Sequence, residues 1–142
     1  MAEPGKIRKK LLELGEKNYY SCASIELTSR CNAKCDFCYI VDKNVRDLPT
    51  EKIHEILDKL AEAGIISLTF TGGEPFIRED LLDILSYAVE KKFWKMSIFT
   101  NGTLIEDRHI QFLRENVSFF PIVQISLFSH IPRINDGYMK VP

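Results

Sequence analysis

Short runs rich in β-branched and apolar residues alternate with longer helical runs, and this alternation constrains the fold more than any other feature of the chain. Residues 23–28 read as a first strand, with Ile25 and Leu27 apolar. Thr50, after Pro49, is a natural N-cap for a helix on which Ile53, Ile56, Leu57, Leu60 and Ala61 share a face. Gly64 fits the end of that helix. Residues 65–70 make a second strand, broken by Gly72 and Gly73. Glu79 and Asp80 suit the positive end of a second helix, and Lys91 and Lys92 its negative end. A third strand over 96–99, a third helix over 106–115 with Ile110 and Leu113 inward, and a fourth strand over 122–127 follow. Ile7, Leu11 and Leu14 place a short helix over 6–17, while residues 129–142 show no clear period.

Strand and helix repeating at roughly 30-residue spacing is what right-handed parallel crossovers require. The expected fold class is α/β with parallel strands, as an open doubly wound sheet or as part of a barrel. In both architectures ligands bind where the carboxyl ends of the strands meet their loops. The unusual clusters of this sequence all fall there. The cysteines follow the first strand, Thr71 to Pro75 the second and Thr100 to Gly102 the third, while Ser126 and Ser129 lie at the end of the fourth.

Nineteen basic and twenty acidic side chains leave a net charge of -1, so no global field draws nucleic acid or an anionic membrane. No window approaches the ~20 apolar residues that span a bilayer. The first ten residues carry charge without the apolar stretch of a secretory signal. Neither nucleic acid nor membrane is an expected partner. The expected location is the cytoplasm, where thiols stay reduced and four cysteines point to metal or catalysis.

Cys31, Cys35 and Cys38 have the spacing C-x3-C-x2-C. Thiolates suit iron–sulfur clusters, zinc or Cu(I). A four-iron cluster takes four cysteines, so three leave one iron open to a substrate or cofactor. Lys34 nearby would offset the negative charge. Zinc would need a fourth ligand from Cys22, His54, His109 or His130, and Cys22 sits at the wrong end of its strand. Gly72 and Gly73 permit close backbone approach to a ligand, Glu74 presents a carboxylate able to grip an ammonium group, and Pro75 rigidifies the exit. Thr100 and Asn101 form part of a common turn sequence, and Ser126 is placed to contact a ribose or carboxylate.

Together these motifs resemble the radical S-adenosylmethionine (radical SAM) superfamily. The cysteine string ELTSRCNAKCDFCY, with aromatic Phe37 before the last cysteine, is similar to the family signature. Gly72 to Pro75, Thr100 to Gly102 and the run VQISLFSH resemble its later motifs, in order, over about residues 23–140. The resemblance implies a partial (β/α) TIM-like barrel with its site at the C-terminal rim. It implies that Cys31, Cys35 and Cys38 ligate a [4Fe-4S] cluster and that S-adenosyl-L-methionine chelates the open iron. Gly72, Gly73 and Glu74 would hold the methionine amino group, with Pro75, Thr100 and Asn101 in the same site. Phe37 would lie near the adenine, and Ser126 would contact methionine or ribose. An electron from an external donor would yield a 5′-deoxyadenosyl radical, which takes hydrogen from a peptide or small-molecule substrate. SIFTNGTLI and VQISLFSH are similar to the peptide-modifying branch with SPASM-type extensions.

The expected organisation is an N-terminal helical extension over 1–20 and the N-terminal part of the radical SAM core over 21–142. The family core has six strand–helix units, against four strands here. A truncated chain is therefore expected, completed by a missing C-terminal segment or by self-association. The alternative function is a non-catalytic iron–sulfur or zinc-binding module.

Overall fold

The computed structural model describes Glu13, Glu16 and residues 20–141. Glu13 and Glu16 are helical, and the rest of the helix expected over 6–17 lies outside the described residues. The elements that follow are β1 (Cys22–Glu26), α1 (Thr50–Glu62), β2 (Ser67–Thr71), a 3-10 turn (Pro75–Ile77) and α2 (Leu81–Glu90). Then come β3 (Lys95–Thr100), α3 (Asp107–Glu115), β4 (Ile122–Ile125) and α4 (Pro132–Met139).

The strands form one parallel sheet in the order β1-β2-β3-β4. Every crossover thus advances in the same direction, and right-handed connections then place the helices on one face. A doubly wound sheet would reverse its order at a switch point; this one does not, so the barrel-type winding is the one observed. Register aligns Ile25 with Phe70 and Phe70 with Ile98. These side chains share the core with Leu68 and Met96, Ile53 and Leu57 of α1, and Leu81, Ile84, Leu85 and Ala88 of α2. Each such buried side chain contributes roughly 1.5–3 kcal/mol. On the opposite face Ser24, Thr69 and Ser97 are in register, and the Thr69 and Ser97 hydroxyls lie 3.1 Å apart. Among the described residues β4 pairs with β3 alone, and Ile122, Ile125 and Leu127 are exposed.

Three local readings change. Thr50 is the first residue of α1 rather than its cap, because its hydroxyl donates to Asp80 Oδ2 at 2.5 Å. Ile110 is exposed, and α3 buries His109 instead. Its Nδ1 accepts the Glu106 N–H at 3.0 Å, which closes a capping box and sets the ring edge-on to Phe76. The tail without a period contains α4, which opens with Pro132 in its first turn.

No helix among the described residues is long and apolar enough to cross a membrane.

Candidate active site

Loops at the carboxyl ends of all four strands, together with α4, line a cavity of about 210 Å³. Cys31, Cys35 and Cys38 line it with Phe37, Gly72, Gly73, Thr100, Asn101 and Ser126. The site residues expected on sequence grounds therefore come together, with two exceptions.

Those exceptions are Glu74 and Pro75, which do not line the cavity. Pro75 is buried at the start of the 3-10 turn. Glu74 is 0% exposed, and its carboxylate is taken up by three donors. Oε1 accepts the Thr100 hydroxyl at 2.7 Å and the Phe76 N–H at 3.1 Å, and Oε2 accepts the Asn101 N–H at 2.7 Å. The carboxylate expected to meet an ammonium group instead orients residues that line the cavity. Burial pushes its carboxyl above the ordinary range, and the three hydrogen bonds work in the opposite direction.

The glycines are needed for close approach of backbone to backbone. Gly72 has φ +139°, and a Cβ there would lie 2.4 Å from Thr28 O. A Cβ on Gly73 would lie 2.1 Å from Arg30 O. The Gly73 N–H donates to Thr28 O at 2.7 Å, and the Glu74 N–H donates to Arg30 O at 2.9 Å. The turn after β2 thus grips the stem of the cysteine loop just before Cys31.

Sequence reasoning missed several residues here. Lys43, not the exposed Lys34, is the cation at the cavity. The loop folds back so that Lys43 Nζ donates to Ala33 O at 2.8 Å. Burial and then the neighbouring Cys31 and Cys38 push the Cys35 thiol up, while Lys43 draws it down. Asn32 links the cysteine loop to the turn after β3, since Asn101 Nδ2 donates to Asn32 Oδ1 and Asn32 Nδ2 donates to Thr103 Oγ1, both at 2.8 Å. Met139, at the end of α4, closes the cavity, and its carbonyl accepts the Lys34 N–H at 3.1 Å. Phe37 packs on Phe128 with ring centroids 4.5 Å apart, and Tyr138 lies 6.4 Å from Phe37. No contiguous motif carries Lys43 or Met139, and Phe128 lies within the run VQISLFSH with nothing there to single it out; only the Pro132 helix start signals α4.

The three thiols around this cavity are soft donors, of the kind that suits iron–sulfur clusters, zinc or Cu(I). Among the described residues no three His, Cys, Asp or Glu side chains are grouped to hold a single metal ion. A four-iron cluster takes each thiolate on a different iron, so its ligands need not converge on one point. The fourth ligands considered for zinc are elsewhere. His54 stacks on Tyr87, His109 caps α3, and neither Cys22 nor His130 lines the cavity.

The model of the radical SAM superfamily matches residues 25–136. The chain is 35% identical over 118 residues to the antilisterial bacteriocin subtilosin biosynthesis protein AlbA of Bacillus subtilis, covering 82% of this chain and 26% of that protein. It is 40% identical over 92 residues to Fe-coproporphyrin III synthase of Methanosarcina barkeri, covering 63% of this chain and 23% of that enzyme. Among solved structures, Streptococcus suis SuiB bound to precursor peptide SuiA superposes with a TM-score of 0.77 at 26% identity, covering 96% of this chain and 31% of SuiB. SuiB bound to S-adenosylmethionine matches with the same TM-score at 25% identity, covering 96% of this chain and 32% of SuiB. The chain thus spans about a quarter to a third of the length of these relatives. With the family model covering most of its length and the fold shared with SuiB, the chain belongs to the radical SAM superfamily.

Proposed function

We propose that residues 21–142 form the N-terminal part of a radical SAM enzyme core, with residues 1–20 as an extension ahead of it. In this reading Cys31, Cys35 and Cys38 hold a [4Fe-4S] cluster, and S-adenosylmethionine binds in the cavity beside them. The observation that carries the reading is the gathering of three thiols with Gly72, Gly73, Asn101 and Ser126 around one cavity at the carboxyl ends of parallel strands.

Cys31, Cys35 and Cys38 would hold the cluster, which when bound and reduced would supply the single electron for reductive cleavage of the cofactor's sulfonium and so open hydrogen abstraction from a substrate. The chain's own residues bind and orient. Three thiolates are one fewer than a four-iron cluster accepts from protein, which leaves a place for the amino and carboxylate groups of the cofactor. Lys43 offsets the negative charge of the thiolates. Glu74 fixes Thr100 and Asn101 at the rim. Phe37 with Phe128 offers an aromatic wall to adenine, and Ser126 a hydroxyl to methionine or ribose. Met139, Phe99 and Phe128 make the lining largely apolar.

A peptide is the favoured substrate, because SuiB is solved with a precursor peptide and AlbA serves bacteriocin biosynthesis. An external one-electron donor and a reducing, cytoplasmic setting complete the requirements. The test is anaerobic reconstitution followed by dithionite and S-adenosylmethionine, with 5′-deoxyadenosine measured by chromatography. Formation in wild type and none in Cys35→Ala supports the reading; equal amounts in both contradict it.

A further inference from the structure

Arg78 follows the 3-10 turn, and its side chain is 4% exposed. One terminal nitrogen, Nη1, donates to Leu27 O at 2.8 Å, and the other, Nη2, donates to Leu48 O at 3.1 Å. These two carbonyls stand at opposite ends of the segment that carries the three cysteines. Nε and Nη2 also donate to Asp80 at 2.8 and 2.5 Å. Nη1 lies 3.9 Å from Asp47 Oδ2.

Asp47 extends the tie across the base of the loop. Its Oδ1 accepts the Thr28 hydroxyl at 2.6 Å, and its Oδ2 accepts Arg30 Nε at 3.0 Å and Nη2 at 2.6 Å. Leu27, Thr28 and Arg30 on the outgoing side are thereby joined to Asp47 and Leu48 on the returning side. Closing a loop of this length costs entropy that local contacts must offset. A guanidinium presents five donors in a planar fork and so spans two carbonyls and a carboxylate at once, which an ammonium group does not. A buried cation is retained only where it is paired and hydrogen-bonded, as this one is.

We propose that Arg78 is the positioning residue that closes the base of the cysteine loop, joining Leu27 to Leu48 so that Cys31, Cys35 and Cys38 stay around one cavity. The consequence for iron rests on the proposed function; the closure itself belongs to the metal-free chain.

Hydrogen exchange of the metal-free full chain compares wild type with Arg78→Lys, which keeps the charge and loses the fork. Amides across 28–48, and those of Gly73 and Glu74, exchange about 10- to 100-fold faster in the variant, the weight of one or two charge-assisted hydrogen bonds. Amides of Leu57, Leu68 and Ile98 keep their wild-type rates, which a general loss of stability would not allow. Alkylation of the three cysteines accelerates in parallel, and a reconstituted variant loses iron to chelator faster. Unchanged exchange across 28–48, or an equal rise throughout the core, overturns the proposal. Where Arg78→Lys does not fold, Asp80→Asn decides on the same readout, since it removes the carboxylate charge that holds Nε and Nη2 and so loosens the guanidinium from Leu27 O and Leu48 O; faster exchange confined to 28–48 is expected, and unchanged exchange overturns the proposal. A loop that opens in the variant while wild type takes up no iron sinks the proposed function and leaves the closure standing. An unchanged loop in a variant of an iron-binding wild type does the reverse.

Discussion

The main-chain N–H of Asn101 donates to Glu74 Oε2 at 2.7 Å, so a buried carboxylate in the turn after β2 sets the loop after β3. The Thr100 hydroxyl donates to the same carboxylate and accepts the Gly102 N–H at 2.9 Å. The rim of the cavity is thus held by one residue that does not itself line it.

Glu74→Gln tests this. The carboxylate serves three donors, whereas an amide offers one acceptor oxygen and turns its NH₂ toward a donor. The expected loss is about 1–3 kcal/mol, read as a lower urea midpoint at constant slope. An unchanged midpoint contradicts the assigned role.

Gly73→Ala places a Cβ 2.1 Å from a main-chain oxygen of Arg30, which has no flexible end to yield. The expected loss is roughly 1–3 kcal/mol or more, accompanied by faster alkylation of Cys31. Wild-type stability in the purified variant would show that the loop does not lie against this turn.

The Arg78 guanidinium, and after it the Thr50 hydroxyl, holds the Asp80 carboxyl below the usual carboxylate range; burial opposes them without reversing the shift. A depressed folded value means that this contribution to stability is complete above the unfolded value of about 3.9 and is lost as pH falls through the folded one. Thermal melting of wild type should therefore fall more steeply below about pH 4 than that of Asp80→Asn. Parallel curves over that acid window would remove Asp80 from the account.

Lys43→Gln removes the one charge that draws the Cys35 thiol down, leaving burial and the neighbouring thiols to raise it further. In the metal-free chain the midpoint for Cys35 alkylation should move to higher pH. A midpoint that stays in place or moves down would show that Lys43 does not act on that sulfur.

The strands and the rim were legible in the sequence because apolar runs ended by glycine or polar turns mark strand ends, and the cysteines and glycines follow such ends directly. Periodicity alone leaves the winding open, since it gives strands without their order; the motifs that resemble the radical SAM superfamily imply the barrel type, and the β1-β2-β3-β4 adjacency bears that out. α4 stayed hidden because Asn135, Asp136 and Gly137 are poor helix formers in its middle. Ile110 was misplaced because its apolar character said nothing of the Glu106–His109 capping box, which turns the histidine inward. Lys34 is the cation that closeness in sequence suggests, and Lys43 has no such signal; the loop folds back so that Lys43 reaches Ala33 O and the cavity while Lys34 is exposed. Glu74 was read as a ligand because its three donors come from Phe76 and from Thr100 and Asn101, more than twenty residues away.

The central claim is that three thiols here hold a four-iron cluster open to S-adenosylmethionine. It is tested most directly by anaerobic reconstitution with iron and sulfide, iron counting, and EPR of the reduced protein with and without S-adenosylmethionine. The account predicts about four irons per chain and a spectrum that changes when S-adenosylmethionine is added. Tightly bound zinc, or no more iron than in Cys35→Ala, would contradict it and leave a non-catalytic metal-binding module.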